Sequence, residues 1–168
     1  MHPTPTPDPE RPMTPQEFQT LMAPAMAAIA AHGGVDPTLQ NALAAKLPPD
    51  GDWFAKVEAA CHDAVDAGWM CAEGEGTRRF GRVIEPSPET QDLSVDVVDL
   101  ADTRAPHHTH PNGEVLMIMP VDDAATFDAR GRGWLVYGPG TGHRPTVRHG
   151  RALVLYLLPE GRIEWTGT

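Results

Sequence analysis

Four side chains stand at spacings that could assemble one chemical site. His108 and His110 are two residues apart, Glu114 follows them across a Pro111-Asn112-Gly113 turn, and His143 stands beyond a later Gly-rich segment. Residues two apart on a strand project to the same face, so a strand through 108–110 aims both imidazoles one way. Glu114 opens the next apolar run, in which Glu114, Leu116 and Ile118 share a face, and the turn can bring its carboxylate beside the two rings. Two imidazoles and a carboxylate form a nitrogen/oxygen donor set suited to a divalent first-row metal. His143 could supply a fourth ligand, whereas His107 has the opposite parity and is expected to point outward. The competing reading is four hydrogen-bonded structural histidines and acids, but four matching spacings favour one inward-facing functional site.

The elements that must position these residues can be read from periodicity. Residues 1–13 are Pro-rich with little that is apolar, and are expected to be a disordered tail. A helical region is expected over 14–74. Thr14-Pro15-Gln16-Glu17 offers a cap and first turn, Phe18, Leu21, Met22, Ala25, Met26 and Ile29 recur at helical spacing, and Gly33-Gly34 ends the run. Asp36-Pro37 begins a second short helix that stops at Pro48-Pro49, and a third begins near Asp52, with Trp53, Val57, Cys61, Ala64, Val65 and Trp69 along one stripe. From Thr77 onward the pattern alternates. Segments 79–83, 93–99, 114–120, 133–137, 146–148, 152–158 and 162–165 read as short strands between turn signals. Residues 75–168 are therefore expected to form a closed or sandwiched all-β domain.

Composition narrows the function classes. The 168 residues carry a formal net charge of -10, and no run of Lys or Arg is present. Such a surface repels phosphate backbones and anionic lipid, so neither nucleic acid nor a membrane is expected as a partner. No apolar run reaches the length of a membrane span and no secretory leader is evident, so a cytoplasmic protein is expected. Cys61 and Cys71 match no metal or redox motif and are expected to be reduced, partly buried thiols. No Gly-rich dinucleotide loop occurs, so no nucleotide or flavin cofactor is expected.

With those residues in view, the chain resembles the cupin superfamily. His108-x-His110-xxx-Glu114 reproduces the first cupin motif, HxH(x)3E, and Gly138-Pro139-Gly140-Thr141-Gly142-His143 resembles the second, usually PxGxxH, with its proline displaced by one position. The glycine usual after the motif's glutamate is absent. This resemblance implies a mainly β protein, a cupin-type β-barrel preceded by about three short α-helices. It also implies that His108, His110, Glu114 and His143 are the ligands of a divalent metal such as Fe, Mn, Zn or Ni. Homodimers are common among such barrels, and a homodimer is expected.

A narrower resemblance covers residues 78–166. The segments HHxHPNGE at 107–114 and GPGxxHRPTV at 138–147 are similar to those of the 4-hydroxylaminobenzoate lyase family of nitroaromatic degradation. That implies conversion of 4-hydroxylaminobenzoate to 3,4-dihydroxybenzoate (protocatechuate) with release of ammonia. Substrate plus water equals product plus ammonia, so the reaction is redox-neutral. It asks for a proton donor and a base, chemistry that Glu114 and His143 possess, with His108 and His110 beside them. The aromatic acid also needs a cation for its carboxylate. Arg144, Arg82 and Arg148 are candidates, although Arg144 needs a bulge to face the same way as His143. Tyr137, Trp134, Met117 and Met119 could line an aromatic slot. Other readings of the same residues are a metal-dependent dioxygenase or isomerase, and a small-molecule-binding cupin without catalysis.

Overall fold

The computed structural model describes residues 13–166, so the expected disordered tail lies almost wholly outside the described residues. Three helices come first: α1 (Pro15–His32), α2 (Pro37–Lys46) and α3 (Asp52–Ala67). Local chemistry sets their ends. The Thr14 hydroxyl accepts the Glu17 amide while the Glu17 carboxylate accepts the Thr14 amide, a reciprocal cap, and Gly33 leaves α1 in the left-handed region. The Asp36 carboxylate accepts the amides of Thr38 and Leu39 at the start of α2. No helix among the described residues is long and apolar enough to cross a membrane.

Eleven strands follow: β1 (Glu73–Glu75), β2 (Arg78–Ile84), β3 (Leu93–Ala101), β4 (His108–His110), β5 (Glu114–Pro120), β6 (Thr126–Phe127), β7 (Gly133–Tyr137), β8 (Thr141–His143), β9 (Val147–Arg148), β10 (Arg151–Pro159) and β11 (Glu164–Trp165). Six make one antiparallel sheet in the order β1-β2-β3-β10-β5-β7, while β11-β4-β8 and β6-β9 form two smaller sheets. The protein is thus mainly β with three preceding helices. The ladders do not close into one continuous barrel. Pro106, Pro111, Pro139 and Pro145 flank β4 and β8, and each lacks the N–H that a continuing ladder requires.

Strand parity divides the large sheet into two apolar faces. Val97, Met117, Trp134, Leu153 and Leu155 pack with Phe18, Met22, Leu39, Leu43, Phe54 and Val57 of the helices. Leu116, Ile118, Leu135, Val154, Tyr156 and Leu158 form the other face, with Phe127 and Val147. Covered on both sides, β5 and β10 are apolar at nearly every position rather than alternating. The same parity overturns part of the expected slot. Met117, Met119 and Trp134 face the helices, where Trp134 stacks on Trp53 at 6.1 Å and its indole N–H donates to the Leu47 carbonyl. Cys61 and Cys71 are free and fully buried, and burial raises both thiol pKa values, that of Cys71 to about 12.

Candidate metal and active site

The site is built where the small sheet β11-β4-β8 meets the second face of the large sheet. Antiparallel pairing sets His108 directly opposite His143. Gly142 permits this approach, because a Cβ there would stand 2.9 Å from the His108 carbonyl. Gly113 makes the turn into β5 at φ +87, its amide bonded to the His110 carbonyl, and delivers Glu114 to the face of Leu116 and Ile118. All four expected residues come together. His108, His110 and Glu114 are completely buried, and His143 is 10% exposed. His107 points away and pairs with the Thr166 hydroxyl.

Three Nε2 atoms converge on one carboxylate oxygen. Glu114 Oε2 lies 3.1 Å from His108 Nε2, 2.7 Å from His110 Nε2 and 3.7 Å from His143 Nε2, and the His108 and His143 Nε2 atoms are 3.1 Å apart. The His110 contact is close but does not make a hydrogen bond, so among the described residues that buried nitrogen has no hydrogen-bond partner, and neither has Glu114 Oε1. Ligand atoms held about 2.0–2.2 Å from a common divalent ion stand about 2.8–3.6 Å from one another, by the geometry of octahedral and tetrahedral shells. The observed separations bracket that range, and the four donors lie within 4.8 Å of one another. The donor set therefore fits a divalent first-row ion.

Outer partners fix the tautomers. The Thr141 hydroxyl donates to the Gly138 carbonyl and so accepts from His110 Nδ1 at 2.8 Å. The Asp128 carboxylate takes His143 Nδ1–H at 2.5 Å, the Tyr137 hydroxyl at 2.6 Å and the Thr146 amide at 3.1 Å. Both rings are thereby left with bare Nε2 lone pairs aimed inward when neutral, as metal ligation demands. Burial alone would raise the Glu114 pKa, but its close contacts with the three imidazoles outweigh it and hold the carboxyl well below its usual range. Burial opposes the charged form of His143, yet Asp128 and Glu114 together raise its pKa to about 9.

A cavity of about 380 Å³ opens beside this cluster, with His108 and Tyr156 in its wall; its size suits a small organic molecule. Tyr137 belongs to the cluster, stacking on His110 at 5.4 Å. Arg82 lines the cavity, but its guanidinium is held by Asp96 at 2.8 Å and by the Gly161 carbonyl. Arg144 is half-buried and does not line the cavity, and Arg148 is exposed on β9. Sequence reasoning missed four members of the site: Asp128, Thr141, Tyr156 and Trp165. Asp128 lies alone in a turn at φ +49, with no spacing to betray it. Tyr156 did carry a signal, a phenol within the apolar run of β10 on the same face as Val154 and Leu158. Its hydroxyl is buried without a partner among the described residues, whereas buried tyrosine hydroxyls usually have one. Trp165, 58% exposed, sets its ring 5.1 Å from that of His108 and lines the cavity.

The family model described as PnbB, 4-hydroxylaminobenzoate lyase, matches residues 21–165. A 4-hydroxylaminobenzoate lyase of Pseudomonas putida is 30% identical over 135 residues, covering 70% of this chain and 76% of that protein. One from Nocardioides sp. (strain LMS-CY) is 32% identical over 126 residues, covering 70% and 75%. Among solved structures, an RmlC-like cupin protein from Ralstonia eutropha JMP134 shares 15% identity at a TM-score of 0.42, over 58% of this chain and 65% of that one. The DMSP lyase DddQ from Ruegeria pomeroyi DSS-3 shares 18% at 0.39, over 89% and 95%.

Proposed function

This chain belongs to the 4-hydroxylaminobenzoate lyase family, and from that membership we propose that it converts 4-hydroxylaminobenzoate and water to 3,4-dihydroxybenzoate and ammonia. The observation that carries the reading is the convergence of three Nε2 atoms and Glu114 Oε2 beside a cavity sized for one aromatic acid. His108, His110, Glu114 and His143 would hold a divalent ion. Such an ion, when bound, supplies a Lewis acid and acidifies coordinated water.

The chain's own groups account for the proton traffic. The hydroxylamine oxygen leaves as water only if a proton reaches it, and we assign that donation to the phenol of Tyr156, a residue of the cavity wall. Burial keeps that phenol protonated, and it lines the cavity without an internal partner. Two waters then enter, one at the ring carbon beside the nitrogen-bearing carbon and one at the resulting imine carbon, where it expels ammonia, so one water is consumed net; the first must lose a proton as it adds. Glu114 is ionised, and its Oε1 has no hydrogen bond, so it can accept that proton. Asp128 holds His143 by Nδ1–H and keeps Nε2 directed at the reacting centre. Trp165 and Phe80 border the cavity and offer aromatic surface to the substrate ring.

Incubating the purified protein with 4-hydroxylaminobenzoate in the absence of oxygen tests the proposal. Ammonia and 3,4-dihydroxybenzoate should appear in equal amounts. Turnover that stops without oxygen would indicate a dioxygenase on the same residues, and no ammonia under any condition would overturn the lyase assignment.

A further inference from the structure

The cavity has two chemically different ends. At one end stand His108 and Tyr156. Along its wall, β2 presents Arg78, Phe80 and Arg82 from one face, opposite Leu100, Val98 and Asp96 of β3 in register. Tyr156 pairs with Asp96 and so lies in the row of Arg82, four residues along the strand from the row of Arg78. At about 3.3 Å per residue that separation is about 13 Å, which a benzoate ring and the long Arg78 side chain can bridge together. Phe80 and Val98 form the apolar row between.

The two cavity arginines differ in their partners. Arg82 is neutralised by Asp96, with Glu85 a further 3.6 Å contact. Arg78 has its guanidinium carbon 5.5 Å from the Phe80 ring centroid and no carboxylate within ion-pair distance among the described residues. Glu73 shares the cavity wall and Glu75 stands opposite Arg78 in the β1–β2 ladder, but neither carboxylate is within ion-pair distance of the guanidinium. A guanidinium flanked by an aromatic face and open to a cavity suits a planar aryl carboxylate, which it can hold by two parallel hydrogen bonds.

We propose that Arg78 is the residue that recognises the substrate's carboxylate, fixing the aromatic acid along β2 and β3 with its nitrogen substituent toward His108 and Tyr156. This assignment rests on the lyase reading and names the polarity of the substrate within that site. It makes Arg78 a substrate-binding residue that selects acids over neutral aryl hydroxylamines.

The test compares 4-hydroxylaminobenzoate with its carboxamide, using the wild type, Arg78→Gln, Arg78→Lys and Arg82→Gln. Arg78→Gln should raise KM for the acid about tenfold or more, as expected for loss of a charge-assisted pair, and leave KM for the carboxamide within about twofold. Arg78→Lys should recover part of the loss. Binding of 4-aminobenzoate and 4-aminobenzamide by calorimetry supplies a readout independent of turnover, and it should show the same selective loss for the acid. A wild type that turns over neither substrate yet shows this selective binding would defeat the lyase reading while supporting Arg78. Equal effects on acid and amide, or a selective effect from Arg82→Gln with none from Arg78→Gln, would overturn the assignment.

Discussion

Replacing Asp128 with Asn should change how metal affinity depends on pH, not merely its size. In the metal-free protein, burial disfavours a charged His143, but the Asp128 and Glu114 carboxylates raise its pKa to about 9. A ligating imidazole must be neutral, so the proton competes with the metal. At pH 7, two units below the His143 pKa, about one molecule in a hundred has a neutral His143, which weakens apparent affinity about 100-fold relative to pH 10. Wild-type affinity should therefore climb about tenfold per pH unit from pH 7 to 9 and then level off. Asn at 128 removes one of the two stabilising charges and so lowers that pKa, and the same tenfold-per-unit climb should level off at lower pH. At pH 10, where His143 is neutral in both proteins, the variant should bind about 10–100-fold more weakly, because its ring is less firmly oriented. Competition titration with Zn2+ and a chromophoric chelator across pH 6.5–10 reads both quantities. A flat wild-type profile, or a variant that follows the wild type at every pH, would refute the reasoning.

The same raised pKa has a consequence for stability. His143 stabilises the metal-free fold fully below its unfolded value of about 6.5, and this contribution is lost as pH rises through about 9; urea denaturation of the metal-free protein should show weaker resistance at pH 9.5 than at 6.5. Tyr156→Phe should leave thermal stability unchanged or raise it by about 1 kcal/mol, since the hydroxyl is buried unpaired, yet lower kcat about 100-fold; parallel loss of stability and activity would contradict a proton-donor role. Gly113→Ala forces a left-handed φ onto alanine and sets its Cβ 2.7 Å from Val35 Cγ1 and 2.9 Å from the Tyr137 carbonyl. It should cost about 1–3 kcal/mol in chemical denaturation and weaken metal binding by displacing Glu114.

The residues that sequence reasoning reached share one property: their information is local. His108, His110 and Glu114 are separated by a strand period and one tight turn, and helix boundaries at Thr14, Gly33 and Asp36 follow from capping chemistry confined to a few residues. Asp128 and Thr141 act on histidines 15 and 31 residues away, through contacts that only the folded arrangement of β4, β8 and the turn after β6 creates. Met117, Met119 and Trp134 show the opposite failure. Their chemistry suits an aromatic slot, but parity with Glu114 turns both methionines away from the site, and the apolar face of α3 claims Trp134. Both faces of β5 are apolar, so hydrophobicity alone could not say which one met the cavity.

Metal dependence is the most direct measure of whether the histidine–glutamate cluster is the reaction centre. The protein would be stripped with chelator, reloaded separately with Fe2+, Mn2+, Zn2+ or Ni2+, and assayed for metal content and for ammonia release from 4-hydroxylaminobenzoate, beside Glu114→Gln treated identically. One ion per wild-type chain is expected, with activity that disappears and returns in proportion to that ion, and Glu114→Gln should show about 100-fold weaker metal binding and no ammonia release. Full turnover by the stripped wild type, or undiminished turnover by metal-free Glu114→Gln, would contradict it.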